Sequence, residues 1–289
     1  MPTVKEYNVR IARLRNTRKM TKTMKMVAAN KLRKAQEALK HAAAFESHVL
    51  RMAGAVPAGG KQVHPLEVPR PARGHVLVLL VTSDRGLCGG FNNNLNRAVM
   101  VWAEERRAAG KKAAVSFFGR RGYLFLRKRL PVRKYYRGES SRPAFAAARQ
   151  IAMDLQDVFL AGRYEAIYLA YNRFRSVLSQ APVIERILPM EPAPVPAPAP
   201  APVTEDMIFT PGAEAVRDTI AGQAVALRIF SAFLNSAVGE QGARMTAMES
   251  STTNADNLIE SYTLRRNRAR QAAITRELIE IVAGAEALV

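Results

Sequence analysis

Residues 4–56 read VKEYNVRIARLRNTRKMTKTMKMVAANKLRKAQEALKHAAAFESHVLRMAGAV, a stretch with one glycine, Gly54, and no proline. Thr3 and Glu6 form a capping box at its start, in which the threonine side chain accepts a backbone hydrogen bond and the glutamate reaches back. The stretch therefore predicts one helix of more than fifty residues. This is far longer than the mean of about 11–12 residues in globular proteins.

The apolar residues of this stretch recur at alternating spacings of three and four. Such a stripe, sustained over many heptads, predicts a coiled coil. Arg18, Lys25 and Glu46 interrupt it, so local irregularity is expected at these positions. The two series of seam residues are Val4, Ile11, Leu32, Leu39 and Ala53, and Tyr7, Leu14, Thr21, Ala28, Ala35, Ala42, Val49 and Val56.

The other end of the chain predicts a second long helix. Thr210 suits its N-cap and Pro211 its first position, and no proline follows Ala213. At 1.5 Å per residue this helix is about 110 Å long, which exceeds the width of a compact domain of this size. An antiparallel pair of terminal helices is therefore predicted. The second helix has the seam residues Leu227, Leu234, Met248, Ala255, Tyr262 and Ala269, and Val238, Met245, Ile259 and Ala273.

Short apolar runs alternate with helical patterns between the two long helices. The run at 75–81 is continuous, as in a buried parallel strand. Alternating strands and helices indicate a small α/β domain. The predicted strands are 75–81, 113–118, 166–171 and 183–188, and the predicted helices are 94–109, 122–128 and 143–160.

The predicted fold class is therefore α/β, with a long antiparallel two-helix coiled coil formed by both termini and an inserted Rossmann-like α/β domain. Proline at every second position of 191–202 favours polyproline II, and a semi-rigid surface loop is favoured over a ligand for a proline-binding module. The expected domains are an N-terminal long helix at 1–56, a globular α/β domain at 72–190, a Pro/Ala-rich loop and connection at 191–209, and a C-terminal long helix at 210–289 that pairs with 1–56.

Charge is the main compositional anomaly, with 44 Lys and Arg against 24 Asp and Glu and a formal net charge of +20. Such an excess attracts nucleic acid, an anionic membrane face or an acidic protein, and composition alone does not choose among them. Cys88 is the only cysteine, which excludes a disulfide within the chain. No apolar run approaches the roughly 20 residues of a spanning helix. Because the heptad pattern begins at Val4, a transit peptide is rejected and the chain is expected to be mature from its first residue.

The Gly-rich stretch 83–92 lies where a phosphate-binding loop would lie, after a strand and before a helix. Its glycines do not match a dinucleotide fingerprint and no P-loop lysine follows, so a structural turn that exposes Asp84 and Arg85 is favoured. Cys88 at a helix start has a candidate reactive thiol, but an ordinary small residue is the favoured interpretation. The four histidines lack metal spacing. No catalytic residue, metal site or cofactor is predicted.

The N-terminal helix is strongly basic, with only Glu6, Glu37 and Glu46 opposing its lysines and arginines up to Arg51. An electrostatic contact with an acidic partner is favoured over a merely solvated face. Nucleic acid is the alternative, although helix-turn-helix, zinc and RNA-binding aromatic patterns are missing from the sequence.

Four motifs in order identify a resemblance that covers nearly the whole chain. The segment from Arg10 to Lys31, with Asn16-Thr17 and Met26-Val27-Ala28-Ala29, resembles the N-terminal signature of the gamma subunits of F-type ATP synthases. The segment 83–89, SDRGLCG, resembles their central loop. The segments 244–248 and 267–278 resemble their C-terminal helix. The Pro/Ala run and the polar segment 249–253 depart from the family pattern.

The resemblance implies a central-stalk rotor subunit that transmits torque but is not itself catalytic. Its implied partners are the alpha and beta subunits of the catalytic hexamer, the epsilon subunit and the membrane c-ring, with no nucleic acid and with membrane contact only through partners. The implied location is peripheral, on the cytoplasmic face of a bacterial membrane. The residues that match partner contacts are Met24, Arg270, Gln271, Thr275 and Glu277, with Asp84 and Arg85 in the central loop.

Two further expectations concern the shaft and its regulation. The C-terminal tip, 281–289, is apolar and mostly small, which suits a smooth bearing, although an ordinary helix end has the same composition. The thiol switch of chloroplast relatives needs a second cysteine, so redox control of that type is excluded. The alternative functions are a nucleic-acid binder, with steeply salt-dependent binding, and a dinucleotide enzyme whose domain at 75–190 binds nucleotide alone.

Overall fold

The computed structural model describes residues 3–55, 64–70, 74–190, 210 and 212–286, without the side chains of 50–55, 213 and 284–286. The Pro/Ala-rich loop, Pro211, which was predicted as the first residue of the second long helix, and the last residues of the tip lie outside the described residues. The chain divides into two compact units. The first comprises Met1–Ala29 and Arg244–Val289, and the second comprises Asn30–Ala243.

In the described part of the chain, ten elements follow one another. Their bounds are α1 Val4–Ala55, β1 His75–Val81, α2 Phe91–Ala108, β2 Lys112–Phe118, α3 Arg120–Leu126, β3 Val132–Tyr136, α4 Phe145–Leu160, β4 Ala166–Phe174, β5 Gln180–Leu188 and α5 Ala213–Glu286. The predicted fold class is confirmed, because two long terminal helices flank an α/β sheet. The predicted strands and helices are present, with ends that shift by up to three residues, and β3 is an additional strand.

The seam predicted for α1 is confirmed by burial. Between Val4 and Val49, every predicted seam residue is buried or half-buried, and nearly all the other positions are exposed. The backbone nitrogen of Glu6 donates to Thr3 Oγ1 at 3.3 Å, as the capping box requires. The prediction of local irregularity is wrong, because α1 continues as helix through Arg18, Lys25 and Glu46.

In the first unit, α1 and α5 run antiparallel as a two-helix pair. Tyr7 packs against Tyr262 with ring centroids 6.1 Å apart, while Thr21 lies beside Thr252, much earlier in α5. The numbering rises on one helix as it falls on the other, which defines the antiparallel direction. The buried and half-buried positions of α5 in this unit contain a series with the alternating spacing of three and four that a coiled coil requires. They include Met248, Thr252, Ala255, Ile259, Tyr262, Arg266 and Ala269.

The second unit is built on a five-stranded sheet with the order β3-β2-β1-β4-β5. The first four strands are parallel and β5 is antiparallel to β4. Strand β1 lies at the centre, which explains its unbroken apolar sequence: both of its faces are covered. One face packs on α4 and on the α5 segment around Phe233, whose ring stacks on Phe118 at 4.0 Å. The other face packs on α2 and α3, with Trp102 and Leu126 buried against it.

Glu46 is the third interruption of the α1 seam and lies in the second unit. Burial raises the pKa of its carboxyl group, against a smaller opposite effect of the Ser231 hydroxyl and the Arg228 charge. Polar groups of α5 therefore accommodate the carboxyl group of Glu46, and α1 is not distorted at this position.

Helix α5 contains a markedly apolar segment. An 18-residue window between Glu214 and Ala283 reaches a mean hydropathy of 1.2, which by length and composition alone would suit a membrane span. However, 61% of that window is buried within the protein, as in the core helix of a soluble fold.

Candidate partner-binding site

The end of α5 carries four of the predicted contact residues on one uncovered stretch of helix. Arg270, Gln271, Thr275 and Glu277 are all exposed, and so is every residue from Gln271 to Ala283. Thr275 Oγ1 donates to the carbonyl of Gln271 at 3.0 Å, so its hydroxyl is already used within the helix. The structure therefore brings these four residues together on a helix end that presents its whole circumference.

The same helix end exposes large apolar side chains in a regular pattern. Ile274, Leu278, Ile281 and Val282 are 49%, 57%, 67% and 56% exposed. Residues three, four, seven and eight apart share one face of a helix, so these side chains form a continuous apolar stripe. A contiguous exposed apolar stripe marks an interaction surface. Ile274 and Leu278 were missed as candidate contacts, although their spacing of four was visible in the sequence.

Met24 lies on α1 and is 42% exposed, beside the exposed Met20 and Val27 on the same face. Its neighbour Lys25 contacts Glu249, which places Met24 next to the segment of α5 near residue 249. Arg270 is 21 residues further along α5, or about 30 Å at the rise of an α-helix. The structure thus separates Met24 from the Arg270 group.

Asp84 and Arg85 occupy the loop after β1 in the second unit and differ in their surroundings. Arg85 is exposed, whereas Asp84 is half-buried. The carboxylate of Asp84 accepts from the backbone nitrogen of Arg120 at 3.0 Å and from that of Ser140 at 2.9 Å. Asp84 therefore has a structural task that sequence reasoning missed, because its partners are 36 and 56 residues away.

A cavity of about 410 Å³ lies beside this loop, at the carboxyl end of β1. Gly86, Leu87, Asn92, Arg121 and Leu124 are among its lining residues. The loop is held by the protein's own side chains: Asn92 Oδ1 accepts from the backbone nitrogen of Ser83 at 3.0 Å. Leu87 has a φ of 64° in the left-handed region, which is uncommon outside glycine. These contacts agree with the prediction of a structural turn at this loop.

Asp154 lies on α4 and joins that helix to β3. Burial raises the pKa of Asp154, but hydrogen bonds from Arg133, Lys134 and Tyr136 outweigh it and hold the pKa well below its usual range. Burial and the contact with Asp154 raise the pKa of the Tyr136 hydroxyl. These contacts hold the edge strand β3 against α4, and their residues do not line the cavity. Among the described residues, no group of three His, Cys, Asp or Glu side chains could hold a metal ion.

Comparison with known proteins gives one consistent result. A family model described as ATP synthase matches residues 3–288. The ATP synthase gamma chain of Anaeromyxobacter sp. (strain Fw109-5) is 40% identical, and the alignment covers 100% of both chains. The gamma chain of Trichlorobacter lovleyi is also 40% identical, with 100% of this chain and 99% of the relative covered.

Among solved structures, one is the central stalk and c-ring of the Tetrahymena thermophila mitochondrial ATP synthase, determined by cryo-EM. The matched chain is 25% identical with a TM-score of 0.55, over 80% of this chain and 98% of that chain.

Proposed function

This chain belongs to the ATP synthase gamma-chain family, and from that premise we propose that it is the central-stalk rotor subunit of a bacterial F-type ATP synthase. In this role it transmits torque between a membrane ion-driven ring and a catalytic hexamer. It thereby couples ion translocation to ATP synthesis or hydrolysis. The coupling requires that the hexamer subunits contact the rotor differently in different states.

The observation that carries this proposal is the exposed apolar stripe on the end of α5. A helix of a soluble protein seldom leaves Ile274, Leu278 and Ile281 uncovered together, unless a partner covers them. An apolar surface without a deep complementary shape suits a bearing that must turn without sticking. Arg270 and Gln271 at the base of the stripe supply a charge and a hydrogen-bonding side chain for a catch on an acidic partner loop.

The proposed partners follow from the same family. The end of α5, with Arg270, Gln271, Thr275 and Glu277, and Met24 on α1 would contact the alpha and beta subunits of the hexamer. The loop with Asp84 and Arg85 is a further proposed contact. The epsilon subunit and the c-ring would bind the globular part, so that the chain reaches the membrane only through partners, on its cytoplasmic face.

Chemistry on this chain itself is not part of the proposal. ATP would be made or hydrolysed on the partner subunits, and the chain would have no active site of its own. The loop after β1 lacks the fingerprint of a dinucleotide site, and the side chains of Asn92 and Asp84 accept hydrogen bonds from backbone nitrogens of the protein itself.

The test is rotation of the chain in its own complex. Cys88 is changed to Ala, and Leu178, which is 85% exposed at the turn between β4 and β5, is changed to Cys to carry a probe. The labelled chain is co-expressed with the hexamer subunits of the same organism. We expect it to co-purify with them and its probe to rotate when ATP is added, while the isolated chain hydrolyses no ATP.

Other results would overturn the proposal. These are a probe that stays still while the complex hydrolyses ATP, or a chain that purifies without the hexamer. If the chain does not bind the hexamer but binds generic nucleic acid with a steep salt dependence, the nucleic-acid alternative would be favoured. ATP hydrolysis or tight nucleotide binding by the isolated chain would favour the enzyme alternative.

A further inference from the structure

Two anomalies of the sequence meet in the first unit. Arg18 and Lys25 interrupt the apolar seam of α1, and the segment 249–253 of α5 is unusually polar. In the structure Lys25 Nζ lies 2.6 Å from Glu249 Oε1, and Arg18 Nε lies 2.5 Å from Asp256 Oδ1. Between these ion pairs, the hydroxyls of Thr21 and Thr252 are 2.7 Å apart. We call these three contacts the polar ladder.

The spacing of the polar ladder is the same on both helices. Arg18 and Lys25 are seven residues apart, as are Glu249 and Asp256, and the helices run in opposite directions. One antiparallel register therefore satisfies both ion pairs together. A slip by one heptad leaves only one ion pair. In one direction Lys25 would face Asp256 but Arg18 would face Thr263, and in the other Arg18 would face Glu249 but Lys25 would face Gly242.

The hydroxyl contact between the ion pairs also depends on the register. A slip by one heptad would place Thr21 opposite Met245 or Ile259 instead of Thr252. The bond in which one hydroxyl donates to the other would then be lost. Each threonine would be left to donate to a carbonyl of its own helix, Thr21 to that of Arg18 and Thr252 to that of Met248.

The small residues of the apolar seam discriminate poorly between these registers. Small side chains such as Ala28 and Ala255 bury similar areas against many neighbours. A polar residue at a seam position, in contrast, specifies register at some cost in stability. The ion-paired side chains are 38% to 54% exposed, so each pair contributes little to overall stability. Their main effect is a difference between registers.

We propose that Arg18 and Lys25 are positioning residues, which fix the register of α5 along α1. They thereby fix the position of Arg270 along the helix pair, relative to the start of α1. The register itself is independent of the proposed rotor function. Its consequence for the partner contact at Arg270 rests on that function.

The experiment measures register by disulfide formation in the full chain, with Cys88 changed to Ala. The pair Thr21→Cys with Thr252→Cys reports the native register. The pairs Thr21→Cys with Met245→Cys and Thr21→Cys with Ile259→Cys report slips of one heptad in each direction. A disulfide requires sulfur atoms about 2.05 Å apart, so each pair reports a narrow range of geometries.

The ladder is then reversed and restored. We expect Arg18→Asp with Lys25→Glu to slow formation of the native-register disulfide by at least about fivefold, the discrimination available from half-exposed ion pairs. A slipped pair should become reactive at the same time. Adding Glu249→Lys and Asp256→Arg should restore the native pattern, because the charges are again complementary. Arg18→Gln with Lys25→Gln is the milder variant in case the reversed chain does not fold, and it should give an intermediate rate.

An unchanged cross-linking pattern in the reversed and neutral variants would overturn the proposal, and so would a fourfold swap that fails to restore the pattern. A second measurement separates this result from the rotor function. If the register shifts while rotation in the complex is normal, the proposed consequence for Arg270 is wrong, but the proposal that the polar ladder fixes the register is confirmed. If the unmodified chain does not rotate, the proposed function fails and the cross-linking result is unaffected.

Discussion

Asp84 and Ser140 hold each other through two hydrogen bonds in opposite directions. The backbone nitrogen of Asp84 donates to Ser140 Oγ at 2.9 Å, and the backbone nitrogen of Ser140 donates to Asp84 Oδ2 at 2.9 Å. The other carboxylate oxygen of Asp84 accepts from Arg120. The loops after β1, β2 and β3 are thus fastened at one edge of the sheet. Asp84, which the sequence suggested as a partner contact, therefore also holds these loops together.

Replacement of Asp84 by Ala should lower the free energy of unfolding by about 1.5–3 kcal/mol, the range for hydrogen bonds to a charged group. Arg85→Ala is the matched control, because its side chain is exposed in the same loop. It should change stability by no more than about 0.5 kcal/mol. Urea unfolding measures both. Equal stability of the two variants would show that the loops do not depend on Asp84.

Gly119 joins β2 to α3 in a conformation that only glycine fits. Its φ is 104°, and an added Cβ would lie 2.0 Å from the carbonyl oxygen of Thr82. Gly119→Ala should therefore destabilise the chain by more than about 3 kcal/mol through combined backbone strain and overlap. Gly110 has a φ of 73° but open space around it, so Gly110→Ala should cost only about 1–2 kcal/mol. Thermal or urea unfolding of the two variants separates overlap from strain. Similar losses would contradict the contact with Thr82.

The Asp154 cluster predicts a pH dependence of stability. Because the pKa of Asp154 is lower in the folded state than its unfolded value of about 3.9, its contribution is fully present above pH 4 or so. It is lost as the pH falls below that value toward the folded pKa. Asp154→Asn should lower the free energy of unfolding by about 1.5–3 kcal/mol at pH 7. The difference from the parent chain should shrink steadily between about pH 4 and pH 2.

Asp157→Asn on the same helix is the control for Asp154, since Asp157 is outside the cluster. Urea unfolding of the three chains at several pH values makes the comparison. A loss in Asp154→Asn that is the same at pH 2.5 as at pH 7 would mean that ionisation of the carboxylate contributes nothing.

The sequence predicts elements well where the pattern is local. The continuous apolar run of β1 identified a central strand, and the seam of α1 predicted which residues up to Val49 are covered. Strand β3 was missed because VRKYY is short, charged and at the sheet edge, where one side remains in water. Its charges are balanced by Asp154, about 20 residues away in sequence.

Long-range pairing explains the remaining misses. Lys25 and Glu249 are separated by 224 positions, so each looked like a local defect until both helices were placed. The contact residues at Arg270 were identified by family resemblance, and the structure adds the apolar stripe beside them. No local pattern could have shown that the helix end is uncovered.

Arg270 provides the sharpest test of the proposed catch. It is exposed at the point on α5 beyond which every residue up to Ala283 is exposed, so Arg270→Ala should leave the fold and the melting temperature unchanged. A charge-assisted hydrogen bond contributes about 1.5–3 kcal/mol, and each 1.4 kcal/mol is a factor of ten. If Arg270 holds an acidic loop of the hexamer in one rotor state, ATP turnover or coupled ion translocation of the complex should fall at least about tenfold. Arg268→Ala, two residues earlier and also exposed, should keep both activities. Equal turnover and equal coupling in the two variants would remove Arg270 from the contact.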